Sequence, residues 1–403
     1  MAYFDSPRSR RAALLAALAA AAVVTACGGG GSADAGASAS SVAPTAFTQG
    51  TITGFGSIMV NGVRFDESAA TVTDDAGNVS SAQALRLGMR VEVDHAGGDA
   101  GASTARAAAV RYGSLVLGPV ASVNVAGNTL TVLGQVVDVT SSTVFSDSLA
   151  AGLSAVAAGA VVEVHGLADA ATGHISATRV EAAGSATRYK LRGTVAGLDT
   201  TAKTFNIGAA AISYATLAST ALPSSLADGL ALRVELATAQ SAGFWVASAL
   251  GVKGMRGDHA NGLRGHVRGK ISAFTSASSF TVDGVVVDAS AASFPDGSSG
   301  LALGVEVEVD GTVSNGVLVA TKVSIESRHQ GDDSRQWHLF GAISALDVAA
   351  KTFVVRGVTV TYGAATSFVG GSVADLALGR KVHVKGSVGS TRSQVQAAVV
   401  SFE

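Results

Sequence analysis

The phrase "LALGVEVEVDG" at residues 301–311 returns as "LALGRKVHVKG" at 376–386, with its glycines and valines kept and its charges changed. Three further versions are "LGMRVEVDHAG" at Gly88, "AAGAVVEVHG" at Gly159 and "ADGLALRVEL" at Gly229. Counting from each glycine, the third and fifth residues are always apolar: Val91/Val93, Val162/Val164, Leu232/Val234, Val307/Val309 and Val382/Val384. The fourth and sixth are Glu92/Asp94, Glu163/His165, Arg233/Glu235, Glu308/Asp310 and His383/Lys385. Strict alternation with β-branched residues predicts a half-buried strand, valines inward and charges outward to water. The acidic pairs Glu306/Glu308 and Glu92/Asp94 then read as a strand edge defended by charge.

Other pieces recur around this strand. Upstream lie "NTLTVLGQVVDV", "SSFTVDGVVVDA" and "KTFVVRGVTVTY", with looser forms "GSIMVNGVRFD" and "KTFNIGAAAISY". Two alternating runs split by a glycine turn predict a hairpin. An opening strand precedes it, as in "GPVASV" or "FGAISAL", and an Ala-x-x-Val/Leu strand such as Ala397/Val400 closes each unit. A Ser/Ala/Leu connector between the third and fourth strands reads as about one helical turn. Each unit of about 70 residues is thus three strands, a connector and two strands. The expected fold class is all-β, a tandem array of five small five-stranded OB-like barrels, with a small open sandwich as the alternative. The expected division is signal peptide 1–26, tether 27–49, and repeats 50–116, 117–188, 189–260, 261–334 and 335–403. Domains this small are marginal alone, so neighbouring repeats are expected to pack together.

The net charge of −2 and an aromatic content of 5% argue against nucleic acid as a partner. The single cysteine, Cys27, excludes intramolecular disulfides and multi-cysteine metal sites. It follows Arg8, Arg10 and Arg11 and the apolar run "AALLAALAAAAVV", which is too short to span a bilayer but suits a signal peptide. "VTAC" (residues 24–27) resembles the lipobox of bacterial lipoproteins, which implies that Cys27 is acylated and heads the mature chain. Gly28, rather than Asp, after the cysteine implies by the same resemblance the outer membrane, facing the periplasm or the cell surface. "SRRAALL" loosely resembles a twin-arginine signal, so the export route stays open. Residues 28–49, rich in Gly, Ser and Ala, read as a flexible tether. From residue 50 onward the pattern "T-F-x-V-x-G … L-x-x-G-x-x-V-x-V-x-G … A-x-x-V" resembles the exported bacterial family catalogued as domain of unknown function 5666. That resemblance implies tandem repeats and carries no activity.

Residues shared by the repeats are Gly, Val, Ala, Phe and Thr, all with structural explanations, so a site must come from residues unique to one repeat or junction. H-E-x-x-H, G-x-S-x-G, the P-loop and G-x-G-x-x-G are all absent. Two junctions stand apart. "KGMRGDHANGLRGHVRGK" (253–270) carries Lys253, Arg256, Arg264, Arg268 and Lys270, a candidate clamp for a phosphate or acidic glycan. "ESRHQGDDSRQWH" (326–338) gathers His329, Asp332, Asp333 and His338, weak candidates for a divalent metal. Both also read as solvated linkers, and Trp245 and Trp337 read as packing residues at strand starts. The reading is a non-enzymatic outer-membrane lipoprotein that binds or spaces within the envelope. Its expected partners are the membrane, through Cys27, and an envelope glycan or protein, with no cofactor. The rivals are an anionic-polymer binder at 253–270 and, last, a metal-dependent hydrolase at 326–338.

Overall fold

A computed structural model of the chain describes residues 43–97, 103–252, 259–326 and 336–403. Cys27, Lys253, Arg256, His329, Asp332 and Asp333 lie outside the described residues. The second repeat shows how each unit is built. Its strands are Val116–Asn124, Thr129–Val132, Gln135–Asp138, Val161–Asp169 and His174–Ala182. The second and third strands form a hairpin whose two turn residues, Leu133 and Gly134, both have positive φ. Such a turn matches the right-handed twist of the strands it joins. The third strand then pairs in parallel with the fifth, the fifth runs antiparallel to the fourth, and the fourth returns to the first. That ring, in order 1-2-3-5-4-1, closes the barrel and removes the sheet edges. The same ring recurs in the strand sets Ala46–Gly113, 189–251, 264–325 and 337–402. The chain is therefore all-β with OB-type barrels, and the open sandwich is set aside. The connectors carry short 3-10 turns, as at Asp147–Leu149 and Val373–Asp375, except in the fourth repeat, where residues 289–305 form turns without a 3-10 helix.

The recurring glycines have two jobs. The first one (Gly88, Gly159, Gly229, Gly304, Gly379) has φ between +80° and +87°. Its N–H donates to the opening strand of its own barrel, for example from Gly304 to the Ile271 carbonyl and from Gly379 to the Ile343 carbonyl. The last glycine of the phrase (Gly166, Gly311, Gly386) sits at a bulge, where a Cβ would run into a backbone carbonyl of the fifth strand. The bulge bends the fourth strand around the barrel. In the first and third repeats His95 and Leu236 hold that position, also at bulges. All ten inward residues of the alternating strands are buried, none more than 1% exposed.

The barrels are not strung in a line. Cores of the second and third repeats merge, and so do those of the first and fifth. The first opening strand, Ala46–Phe55, pairs in parallel with the fourth repeat over Ala46–Gln49 and with the fifth at Gly54 and Phe55. It starts inside the stretch read as tether: residues 46–49 are ladder, not linker. At Gly54 a side chain would strike the His338 carbonyl, so the parallel contact depends on glycine there. The Thr178 hydroxyl donates to the Gly88 carbonyl, and Arg179 to that of Leu87, which ties the second repeat to the first.

Candidate binding cleft

Several outward charges of the alternating strands are turned into contacts between barrels rather than into water. Glu92 is fully buried: Arg111 Nη1 lies 3.1 Å from its Oε1 and His259 Nε2 lies 3.2 Å from its Oε2. The other Arg111 nitrogen reaches Asp94 at 2.7 Å. Asp75, 2% exposed, is held by Lys190, Arg192 and Arg233 of the third repeat. Burial opposes ionisation of Asp75, but these cations outweigh it and hold its carboxyl below the ordinary carboxylate range. Arg90 meets Asp283 of the fourth repeat at 2.6 Å, and Gln49 donates to the same carboxylate. The expectation of solvated charges is corrected for a simple reason. Alternation separates the inside of a barrel from its outside, and here the outside of one barrel is the interface with the next.

Where the first, second, fourth and fifth repeats meet they leave a cleft of about 830 Å³. The first repeat contributes Thr51, Thr53, Met59 and Asn61, the second Thr140, Ser142, Ser176 and Thr178. Arg268, Lys270, Glu306, Glu308 and Glu326 come from the fourth, Trp337, His338 and Lys385 from the fifth. Trp337 is 5% exposed and its indole N–H makes no hydrogen bond.

The fourth repeat presents three neighbouring strands to this region, Arg264–Ser276, Glu306–Ser314 and Val317–Ile325. Register sets His266 opposite Asp310, Arg268 opposite Glu308 and Lys270 opposite Glu306. On the other side Glu308 faces Ser324 and Asp310 faces Lys322. Arg268 nevertheless turns from Glu308 to Glu306 (3.0 Å) and Glu326 (2.8 Å). Lys270 is taken by Asp169 and by Ser176 of the second repeat. Burial raises the Glu326 carboxyl above its ordinary range; Arg268 opposes this, and the adjoining Glu308 and Glu306 reinforce it. His266 lies 2.6 Å from Asp310 through Nδ1 and 3.8 Å from Glu308 through Nε2. Burial works against its protonation, but Asp310 and Glu308 raise it overall.

Both unusual junctions in the sequence end at the cleft. The described part of 253–270 supplies Arg268 and Lys270, but each is already matched by carboxylates rather than open to an anion. Arg264 begins the opening strand of the fourth repeat, apart from the cleft lining. From 326–338 come Glu326, Trp337 and His338. His338 Nδ1 lies 3.2 Å from His383 Nε2; the His383 ring stacks on Phe340, and the Arg64 guanidinium lies over the same Phe340 ring. Burial, then His338, Lys385 and Arg64, depress His383 to about 4. Trp337 and Trp245 pack as expected, the latter edge-on to Tyr189. Sequence reasoning did not single out Glu326 or the hydroxyl-bearing residues of the second repeat. Thr and Ser in a loop (Thr140, Ser142) or on the outer face of a strand (Ser176, Thr178) carry no signal until another barrel is brought against them.

No curated protein matches the chain. Among solved structures it is similar to a protein described as "drosophila Unr CSD456", at 13% identity over 54% of this chain and 98% of that one, with a TM-score of 0.13, which carries no argument. The profile of the family described as domain of unknown function (DUF5666) matches residues 49–107, 118–181, 268–324 and 340–400. The third repeat, with Leu236 in place of the bulge glycine, falls outside these matches yet keeps the strand order. With more than half of its length matched in four separate copies, the chain belongs to the DUF5666 family.

Proposed function

We propose that the chain is a non-enzymatic binding protein of the cell envelope, lipid-anchored through Cys27, whose cleft holds a hydroxyl-rich ligand such as a stretch of envelope glycan. The observation that carries this reading is the chemistry of the lining. The cations Arg90, Arg268 and Lys270 are engaged by Asp283, Glu306, Glu326 and Asp169. What the wall then offers a ligand is the hydroxyls of Thr51, Thr53, Thr140, Ser142, Ser176 and Thr178 and the Asn61 amide, beside Lys385 and the glutamates. Sugar hydroxyls donate and accept, and such groups answer both roles. The volume lies within the ~300–1,000 Å³ usual for ligand sites. This pairing favours a neutral sugar over an acidic polymer.

The anchor rests on the "VTAC" sequence; no helix among the described residues is long and apolar enough to cross a membrane. Titration of the mature chain against a panel of neutral and acidic oligosaccharides tests the reading. At least one neutral oligosaccharide is expected to bind, and Ser142→Trp, which fills the cleft mouth with a large ring, is expected to abolish binding without unfolding. Binding to acidic members alone, or equal binding by the variant, contradicts the reading. Cys27→Ser is expected to release the protein from membranes; retention after a salt wash contradicts the anchor.

A further inference from the structure

Two repeats carry an acidic pair at the same two outward positions, Glu92/Asp94 in the first and Glu308/Asp310 in the fourth. In the first, Arg111 stands directly opposite Glu92 and bridges both carboxylates. In the fourth, the residue directly opposite Glu308 is Ser324. Ser324 is 4% exposed, and its hydroxyl makes no hydrogen bond. Directly opposed residues share one face of a sheet, so this buried hydroxyl lies beside Glu308. A second polar atom there, His266 Nε2, is also buried and without a hydrogen bond, with Glu308 Oε1 3.8 Å away. Around it stand four carboxylates, Glu306, Glu308, Asp310 and Glu326, against Arg268 and Lys322. Each pair has a histidine beside it, His259 for the first repeat's pair and His266 for the fourth's. The first adds Arg111 across both carboxylates, whereas in the fourth Arg268 turns to Glu306 and Glu326, and no guanidinium among the described residues bridges Glu308 and Asp310.

We propose that Glu308 and His266, through Nε2, bind a first-row divalent cation, Zn²⁺ or Mn²⁺, on the wall of the cleft. Imidazole nitrogen with carboxylate oxygen is a donor combination that these ions accept, and the buried Ser324 hydroxyl lies opposite Glu308 as a further oxygen. Tetrahedral ligands at about 2.1 Å from zinc lie roughly 3.4 Å apart, close to the His266–Glu308 separation. Asp310, 2.6 Å from Nδ1, accepts that ring proton and leaves the Nε2 lone pair for the metal. Glu308 and Asp310 are i and i+2 on one strand, with His266 on the neighbouring strand opposite Asp310. Backbone pairing between these two strands thus sets Glu308 and His266 in place. The site goes beyond the glycan reading and does not depend on it.

The test uses the mature chain, stripped with chelator and dialysed against Zn²⁺ or Mn²⁺ alone, with bound metal counted per chain. One equivalent is expected, with a rise in melting temperature that chelator reverses. Glu308→Gln and His266→Gln are each expected to weaken binding at least about tenfold. No uptake up to about 1 mM metal overturns the proposal, as does uptake that both variants retain. If either variant fails to fold, Asp310→Asn decides: a loss of about 10–100-fold supports the site, and unchanged affinity overturns it.

Discussion

Arg192 Nη2 in the third repeat lies 2.8 Å from Asp75 Oδ2 in the first, although 117 residues separate them along the chain. Lys190 and Arg233 converge on the same carboxylate. Removing one member of a buried ion cluster leaves the others desolvated and unmatched, which costs about 3–5 kcal/mol. Asp75→Ala is therefore expected to destabilise the protein by about 3 kcal/mol in denaturant titration, with the third repeat loosened first in hydrogen exchange. A loss below about 0.5 kcal/mol, typical of surface changes, would place Asp75 in solvent.

The same logic separates positions on the alternating strands. Val307→Asp puts a charge into a barrel core and is expected to cost several kcal/mol. Glu92→Ala, on an outward position, is expected to cost about 3 kcal/mol as well, because Arg111 and His259 each lose a buried carboxylate and are left with Asp94 alone. Lys381→Ala, exposed at the start of the fifth repeat's fourth strand, is expected to change stability by under about 0.5 kcal/mol. Urea midpoints of the three variants check the ordering.

How much of this was legible in the sequence follows from what each pattern reports. Period-two alternation reports one barrel, so Val307 and Val309, the hairpin turns and the strand order could be read directly. It is silent on what covers the outer face, and Glu92 was read as solvated for that reason. Asp75 lies in a polar turn of the first repeat, with nothing local to mark it as the anchor of another barrel. The odd junctions were found because the repeats served as internal controls: 253–270 and 326–338 break the pattern, and both lead into the cleft. What the sequence does not show at these junctions is that the partners of Arg268 and Lys270 come from other strands and another repeat.

Gly311→Ala tests the bulge. Its Cβ would meet the Val319 carbonyl, and the chain must shift at a point where the fourth strand bends. Overpacking of this kind costs about 1–3 kcal/mol. Gly316→Ala, in an open turn with no neighbour near, is expected to cost less despite its positive φ. Thermal melts of the pair distinguish crowding from backbone strain.

Acid is expected to weaken the fold through histidines kept neutral. Burial depresses His95 and His165, and burial with His338 takes His383 to about 4. In the unfolded chain these rings bind protons near pH 6.5, so between about 6.5 and 4 the unfolded state holds more protons and stability falls as pH drops. For the half-exposed His383, water screening leaves on the order of 1 kcal/mol. His383→Phe, which keeps the stack on Phe340, is expected to flatten the dependence of stability on pH between 7 and 5. An unchanged slope would mean that His383 titrates normally.

The first repeat closes against the fourth and fifth, so that the barrels surround a cleft instead of forming a string. Small-angle X-ray scattering on residues 43–403 measures this directly. A closed cluster of this length has a radius of gyration of about 21 Å. A value near that figure, with a single-peaked distance distribution, is what the parallel pairing of Ala46–Gln49 with the fourth repeat requires. A radius well above about 30 Å, as five separate barrels in a row would give, contradicts it.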